Sequence, residues 1–211
     1  MNMRDTSNRF LLLAFGATIF LLFAVAILVP KGDEVIFING QHTPFLDGFF
    51  SLITKLGDGL IFVPIIFLFA FFRFQYSLIA LVAWIFHGIL STFFKRVVFS
   101  GQLRPKELID NSLLYFVPGV EVHSNFSFPS GHSMTIFCAA FLMGLVFRNR
   151  LVAVASLMVA LLVGCSRIYL LQHFLIDVAG GALIGTFSAF VTWEFFLRRR
   201  MPECMSRPIK V

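Results

Sequence analysis

Six apolar runs, each close to the length that crosses a bilayer, constrain this chain more than any other feature. A hydrocarbon core about 30 Å thick takes roughly 20 apolar residues in a helix. A backbone in lipid must also satisfy its own hydrogen bonds, which favours helices. The runs fall at 10–29, 56–73, 76–95, 131–148, 151–170 and 174–197. An all-α integral membrane bundle of six transmembrane helices is therefore expected. Only 13% of the residues are charged, against about 25% in a soluble domain. With no repeat, low-complexity tract or long polar linker, residues 1–211 read as one domain with a basic cytoplasmic tail at 198–211.

The first run follows Arg4 and Arg9 and lacks a small-x-small cleavage site, so it reads as a retained helix rather than a signal peptide. The second is led in by TPFLDGFFSLITKLGDG (43–59), an interfacial helix by composition; Pro64 is expected to bend it and Arg73 to close it. Cys138, Cys165 and Cys204 are scattered and odd in number, which suits apolar filler rather than disulfides or a thiolate metal site.

Lysine and arginine in the flanks set orientation. Ten of the 17 share one side with both termini and the short turns, the RRR at 198–200 among them. The termini are therefore expected in the cytoplasm. The 96–130 loop and the 167–173 turn then face outward with the other seven.

Three stretches on that outer side carry chemistry. SRIYLLQHFLID (166–177) places Arg167, His173 and Asp177 between two apolar runs. His173 and Asp177 are i, i+4 and share a helical face, so the carboxylate can take one imidazole proton and leave the other nitrogen as nucleophile or base. A buried Arg–Asp pair fixing a turn reads the same residues structurally. FPSGHS (128–133) opens the fourth run: Ser130 suits an N-cap, and Gly131 leaves first-turn N–H groups open to an anion, with His132 beside them. Alone it is equally a plain cap. KRVVFSGQLRPKE (95–107) supplies Lys95, Arg96, Arg104 and Lys106, suited either to phosphate or to anionic headgroups. Together the three supply the charge neutralisation, oriented donors, nucleophile and acid of a metal-free phosphoryl transfer.

These residues resemble the type 2 phosphatidic acid phosphatase superfamily, which shares its site with vanadium haloperoxidases and glucose-6-phosphatase. Pro129-Ser130-Gly131-His132 matches its second signature, and Ser166-Arg167, five residues, His173, three residues, Asp177 matches its third. The first signature departs: eight residues separate Lys95 from Arg104 where the family has six, and the usual position holds Val97. Lys95 takes that role, with Arg96 in reserve. The resemblance covers 95–177 by motif and implies a mechanism. His173 attacks phosphorus and becomes phosphohistidine, and Asp177 orients it. His132 protonates the leaving oxygen and then activates water. Lys95, Arg104, Ser130, Gly131 and Arg167 hold the equatorial oxygens. It implies no metal and no other cofactor.

Other polar residues read more plainly. His87, Ser91 and Lys95 share a face of the third run; His87 is expected to bond a neighbouring helix. His42 and His123 read as solvated, Lys55 and Asp58 as an i, i+3 pair, and Glu107, Asp110 and Glu121 as counter-charges to the basic loop.

The resemblance implies a bacterial inner-membrane lipid phosphatase acting on a lipid phosphate or diphosphate, with no nucleic-acid partner. Undecaprenyl diphosphate leads the candidates, ahead of lipid A, phosphatidic acid and phosphatidylglycerol phosphate. An anion transporter and a vanadate haloperoxidase are the rivals from other classes.

Overall fold

A computed structural model describes residues 6–197; Arg4, Cys204 and the tail at 198–211 lie outside the described residues. Those residues form an all-helical bundle. Helix α1 (Thr6–Leu28) leads to the short α2 (Asp33–Asn39). Next come α3 (Pro44–Ile53), two 3-10 turns (Thr54–Gly57 and Gly59–Ile61) and α4 (Phe62–Phe72). Helix α5 (Phe74–Phe93) ends in a π-turn (Phe94–Val98), and the loop that follows carries α6 (Pro105–Leu108) and a 3-10 turn (Asn111–Leu113). The chain then forms α7 (Gly131–Phe147), α8 (Arg150–Tyr169) and α9 (Leu175–Leu197).

Among the described residues four helices are long and apolar enough to cross a bilayer: α1, α5 with its π-turn, α8 and α9. A fifth span exists if Pro44–Gly57 and Gly59–Phe72 count as one. Those two halves are bent by 64° at Asp58. The expected bend at Pro64 therefore falls earlier. Pro64 lies in the first turn of α4, which runs on to Phe72 without a break. Arg73 does close α4, as a single extended residue before α5. Helix α7 has 17 residues and does not meet the length of a span.

Helix α7 is the centre. Its residues Ser133–Leu142 are buried without interruption, and it packs most extensively on α9 and then α8. Small residues set that contact. A Cβ on Gly185 would lie 2.2 Å from the Met134 carbonyl oxygen, and one on Gly181 2.5 Å from that of Ser130. The backbones therefore touch, as small residues allow between membrane helices. Helix α1 lies outside: 17% of its apolar window is buried, against 61% for α9. Its Leu13, Phe20, Ile27 and Leu28 are exposed, as a lipid-facing surface requires. Cys138 is buried in the core and, like Cys165, is a free thiol.

Candidate active site

Helix α8 ends in a tight reversal. Leu171 adopts φ +58°, and the N–H groups of Gln172 and His173 both donate to the Arg167 carbonyl, at 2.8 and 3.1 Å. That closure accounts for the five residues between Arg167 and His173. Helix α9 starts two residues later. The Phe174 N–H donates to Asp177 Oδ2 (2.9 Å), and the Leu175 N–H to Glu34 Oε1 (3.2 Å) on α2. Lys31 sits over the Phe174 ring at 4.4 Å. The α1–α2 connection thus braces the turn that carries His173.

His173 and Asp177 are both buried, with His173 Nδ1 3.5 Å from Asp177 Oδ2. The expected imidazole–carboxylate hydrogen bond is not formed at that separation; Nδ1 has no hydrogen-bond partner among the described residues. Asp177 Oδ2 instead accepts from Ser127 Oγ at 2.5 Å and from the Phe174 N–H. Burial, reinforced by Arg104, Arg167, Lys95 and His132, holds the His173 pKa well below the ordinary 6.5. The ring is therefore neutral, as a nucleophile must be.

Helix α7 brings its N-terminus to the same place. The Ser130 N–H donates to the Asp177 carbonyl (3.0 Å), joining the second and third motifs by backbone. Ser130 Oγ caps α7, accepting from the Ser133 N–H (3.4 Å) and the Ser133 hydroxyl (3.0 Å). The N–H groups of Gly131 and His132, in the first turn, have no intrahelical carbonyl to meet. A Cβ on Gly131 would lie 3.6 Å from Ser91 Oγ and 3.7 Å from Lys95 Nζ. Lys95 thus stands over the helix terminus, whereas Arg96 is exposed. The π-turn explains how Lys95 reaches it despite the longer spacing to Arg104. The Phe99 N–H bonds the Phe94 carbonyl at 2.8 Å, so one wide turn takes up part of the extra length.

The two arginines are buried and held. Arg104 Nε donates to the Asn125 carbonyl (2.9 Å) and Nη1 to Gln172 Oε1 (2.6 Å); Gln172 in turn donates to the Glu121 carbonyl (2.8 Å). Arg167 Nη1 donates to Thr54 Oγ1 (2.7 Å), while its buried Nε has no partner among the described residues. An unpaired buried donor costs about 1–3 kcal/mol, a cost that an anion bound beside Arg167 would relieve. Lys106 is tied to the Val122 carbonyl at 2.6 Å.

The structure brings all eight candidate residues around one centre: His173, His132, Asp177, Lys95, Arg104, Ser130, Gly131 and Arg167. It adds Ser127, Gln172, Thr54 and Gly57. A Cβ on Gly57 would sit 2.7 Å from His132 Cβ and 2.8 Å from Val163 Cγ1, so the turn before the 64° bend packs directly on the histidine. Gln172, adjacent to His173 inside the third motif, was open to discovery from sequence; Thr54 and Gly57 were not. Among the described residues Lys55 and Asp58 form no ion pair, and Asp58 Oδ1 accepts from the Leu60 N–H at 2.9 Å. His42 stacks on Tyr115 with centroids 3.8 Å apart, and exposed His123 lies 3.8 Å from Glu121. No cluster of three or more His, Cys, Asp or Glu suited to a metal ion occurs among the described residues.

The PAP2 superfamily model matches residues 60–201. The chain belongs to the PAP2 superfamily. It is 33% identical to phosphatidylglycerophosphatase B of Bacillus subtilis, over 83% of this chain and 90% of that protein. It is 28% identical to the lipid A 4'-phosphatase of Porphyromonas gingivalis, over 82% and 76% respectively. Undecaprenyl-diphosphatases are also among the PAP2 relatives. The crystal structure of Aquifex aeolicus LpxE superposes with a TM-score of 0.67 at 27% identity, covering 78% of this chain and 94% of that one. As a PAP2 enzyme, the chain is a phosphate-ester or diphosphate hydrolase.

Proposed function

We propose that this single-domain PAP2 protein is a bacterial inner-membrane lipid phosphatase working through a phosphohistidine at His173. His173 attacks phosphorus in line while the bond to the lipid oxygen breaks and His132 gives that oxygen a proton. Water then attacks the phosphohistidine, His132 takes its proton, the P–N bond breaks and phosphate leaves. Asp177 stabilises the charged ring of the intermediate. Lys95, Arg104 and Arg167, with the Gly131 N–H and the Ser130 hydroxyl, hold the three equatorial oxygens. The observation that carries this reading is the neutral, buried His173 beside Asp177 within a ring of three cations.

Counting α7 as a sixth span puts both termini in the cytoplasm and the site at the outer, periplasmic surface, in keeping with the lysine and arginine bias. A site at headgroup level lets the substrate's tails stay in the bilayer. Undecaprenyl diphosphate is the leading substrate, supported by an outward-facing site and by the diphosphatases among the relatives. Lipid A phosphates are the second reading, supported by the Porphyromonas gingivalis relative.

The test is phosphate release by purified protein in detergent with EDTA, across undecaprenyl diphosphate, lipid A, phosphatidic acid and phosphatidylglycerol phosphate. Release on one or more lipids, sensitive to vanadate and abolished in His173→Ala and His132→Ala, is expected. Wild-type turnover in His173→Ala ends the mechanism; no release on any lipid favours an anion-transport role instead.

A further inference from the structure

The turn that carries Lys55 rests on two residues of the site. Thr54 Oγ1 accepts from Arg167 Nη1 at 2.7 Å, and a Cβ on Gly57 would lie 2.7 Å from His132 Cβ. Lys55 lies between those anchors, in the 3-10 turn Thr54–Gly57. It is exposed, and no carboxylate lies within ion-pair distance of it among the described residues. A cation held beside a phosphate site, with no counter-charge of its own, suits a second anion.

The cavities around the site decide where that anion sits. One, of about 610 Å³, is lined by Lys95, Arg96, Arg104 and Lys106 but not by His132. A second, of about 560 Å³, is lined by His132, Arg167, Thr54 and Lys55. A third, of about 290 Å³, has His132 in its wall with one carboxylate, Asp58, and no lysine or arginine. His87, also in that wall, lacks the expected hydrogen bond to a neighbouring helix among the described residues. In the reading above, the oxygen that leaves phosphorus is protonated by His132 and so lies within its reach. The leaving group therefore enters the second or the third cavity, and of these the second alone offers a cation to an anion. The buried Arg167 adds an Nε with no partner among the described residues. Glu121 also lines the second cavity, but its side chain is 86% exposed and lies 3.8 Å from His123.

The next residue along the turn continues the path. Leu56 lines an apolar cavity of about 360 Å³ between α4, α7 and α8. The face of α7 that starts at His132 runs into it as Ile136, Ala140 and Met143. A tail attached to a group at Lys55 thus has an apolar way into the bilayer.

We infer that Lys55 holds the second phosphate of a diphosphate lipid, the one that carries the tail and departs as lipid monophosphate. The inference rests on the phosphohistidine reading above and narrows its substrate to a diphosphate. His173 bonds to the terminal phosphorus as the bridging P–O bond breaks. The electron pair of that bond stays on the bridging oxygen, which takes the proton of His132. The departing monophosphate is anionic, and Lys55 offsets its charge. In phosphatidic acid the leaving oxygen belongs to an uncharged diacylglycerol, which gains nothing from Lys55. Lys55 thus sets specificity.

The test compares wild type, Lys55→Met and Lys55→Arg in detergent, with undecaprenyl diphosphate as substrate and vanadate as inhibitor. Vanadate fills the phosphate cradle and leaves the Lys55 subsite empty. In Lys55→Met kcat/KM falls about tenfold, as for loss of one hydrogen bond to a charged group. The vanadate inhibition constant stays near its wild-type value. Lys55→Arg, which keeps the charge, restores most of the rate. An unchanged kcat/KM in Lys55→Met overturns the inference. So does an equal loss of turnover and of vanadate affinity, which marks Lys55 as a support of the turn. Wild type that cleaves another lipid of the panel but not undecaprenyl diphosphate overturns the inference and leaves the lipid phosphatase reading standing. No release from any lipid overturns both.

Discussion

Ser127 Oγ donates a 2.5 Å hydrogen bond to Asp177 Oδ2, the same oxygen that faces His173 Nδ1 at 3.5 Å. A hydrogen bond to a carboxylate contributes about 1.5–3 kcal/mol. It holds the carboxylate beside the ring that becomes charged in the proposed intermediate. Ser127→Ala should therefore lower kcat about 10- to 100-fold, with little change in KM, because the interaction strengthens with the developing charge. Steady-state kinetics of the purified variant check this. Asp177→Asn should cost more while leaving the protein folded.

Gly57→Ala tests the turn packed on His132. The added methyl would lie 2.7 Å from His132 Cβ and 2.8 Å from Val163 Cγ1. Neither neighbour is the free end of a long side chain, so the turn or the histidine must shift. A displacement near 1 Å at a catalytic group costs about 100-fold in rate. The expected outcome is that loss in kcat with an unchanged elution profile and helical circular dichroism.

Gln172 fixes Arg104 through a 2.6 Å hydrogen bond. Gln172→Leu keeps the volume and removes the acceptor. Vanadate, an analogue of the five-coordinate phosphorus, should inhibit about tenfold less well, in line with roughly 1.5 kcal/mol for one hydrogen bond to a charged group. An unchanged inhibition constant would show that the loop backbone alone holds Arg104.

The depressed pKa of His173 makes two statements about pH. His173, the proposed nucleophile, stays neutral as pH falls through about 6.5, so kcat/KM should show no loss from its protonation there. The unfolded chain binds a proton near that value and the folded chain refuses it. The stability contribution is therefore intact above about 6.5 and is lost progressively as pH falls below it. Thermal unfolding in detergent at successive pH values should show the fall, and His173→Phe should flatten it.

Most of the bundle was legible because lipid leaves the backbone few options. The starts of α7, α8 and α9 fall within one residue of the apolar runs at 131, 151 and 174. The break at Asp58 was not legible. It depends on how Gly57 fits between His132 and Val163, 75 and 106 positions away along the chain. The candidate residues of the second and third motifs could be read from fixed spacings, because a turn such as Arg167–His173 closes through its own backbone; Lys95 lies two residues farther from Arg104 than the family spacing and is brought in by the π-turn. Their supports could not. Ser127, Thr54 and Glu34 act across 50, 113 and 141 residues, and no local pattern encodes those contacts.

The backbone contact between α7 and α9 has a consequence for how this chain can vary. Helix α1, the most apolar of the four long candidate spans, can exchange one large apolar residue for another along its exposed face, since fluid acyl chains adapt to any shape. Helix α7 has protein on every side, and Gly181 and Gly185 leave no room for even a methyl group against it. Among descendants of a common ancestor, the segment that looks least like a membrane span should drift slowest, and the most obvious span fastest.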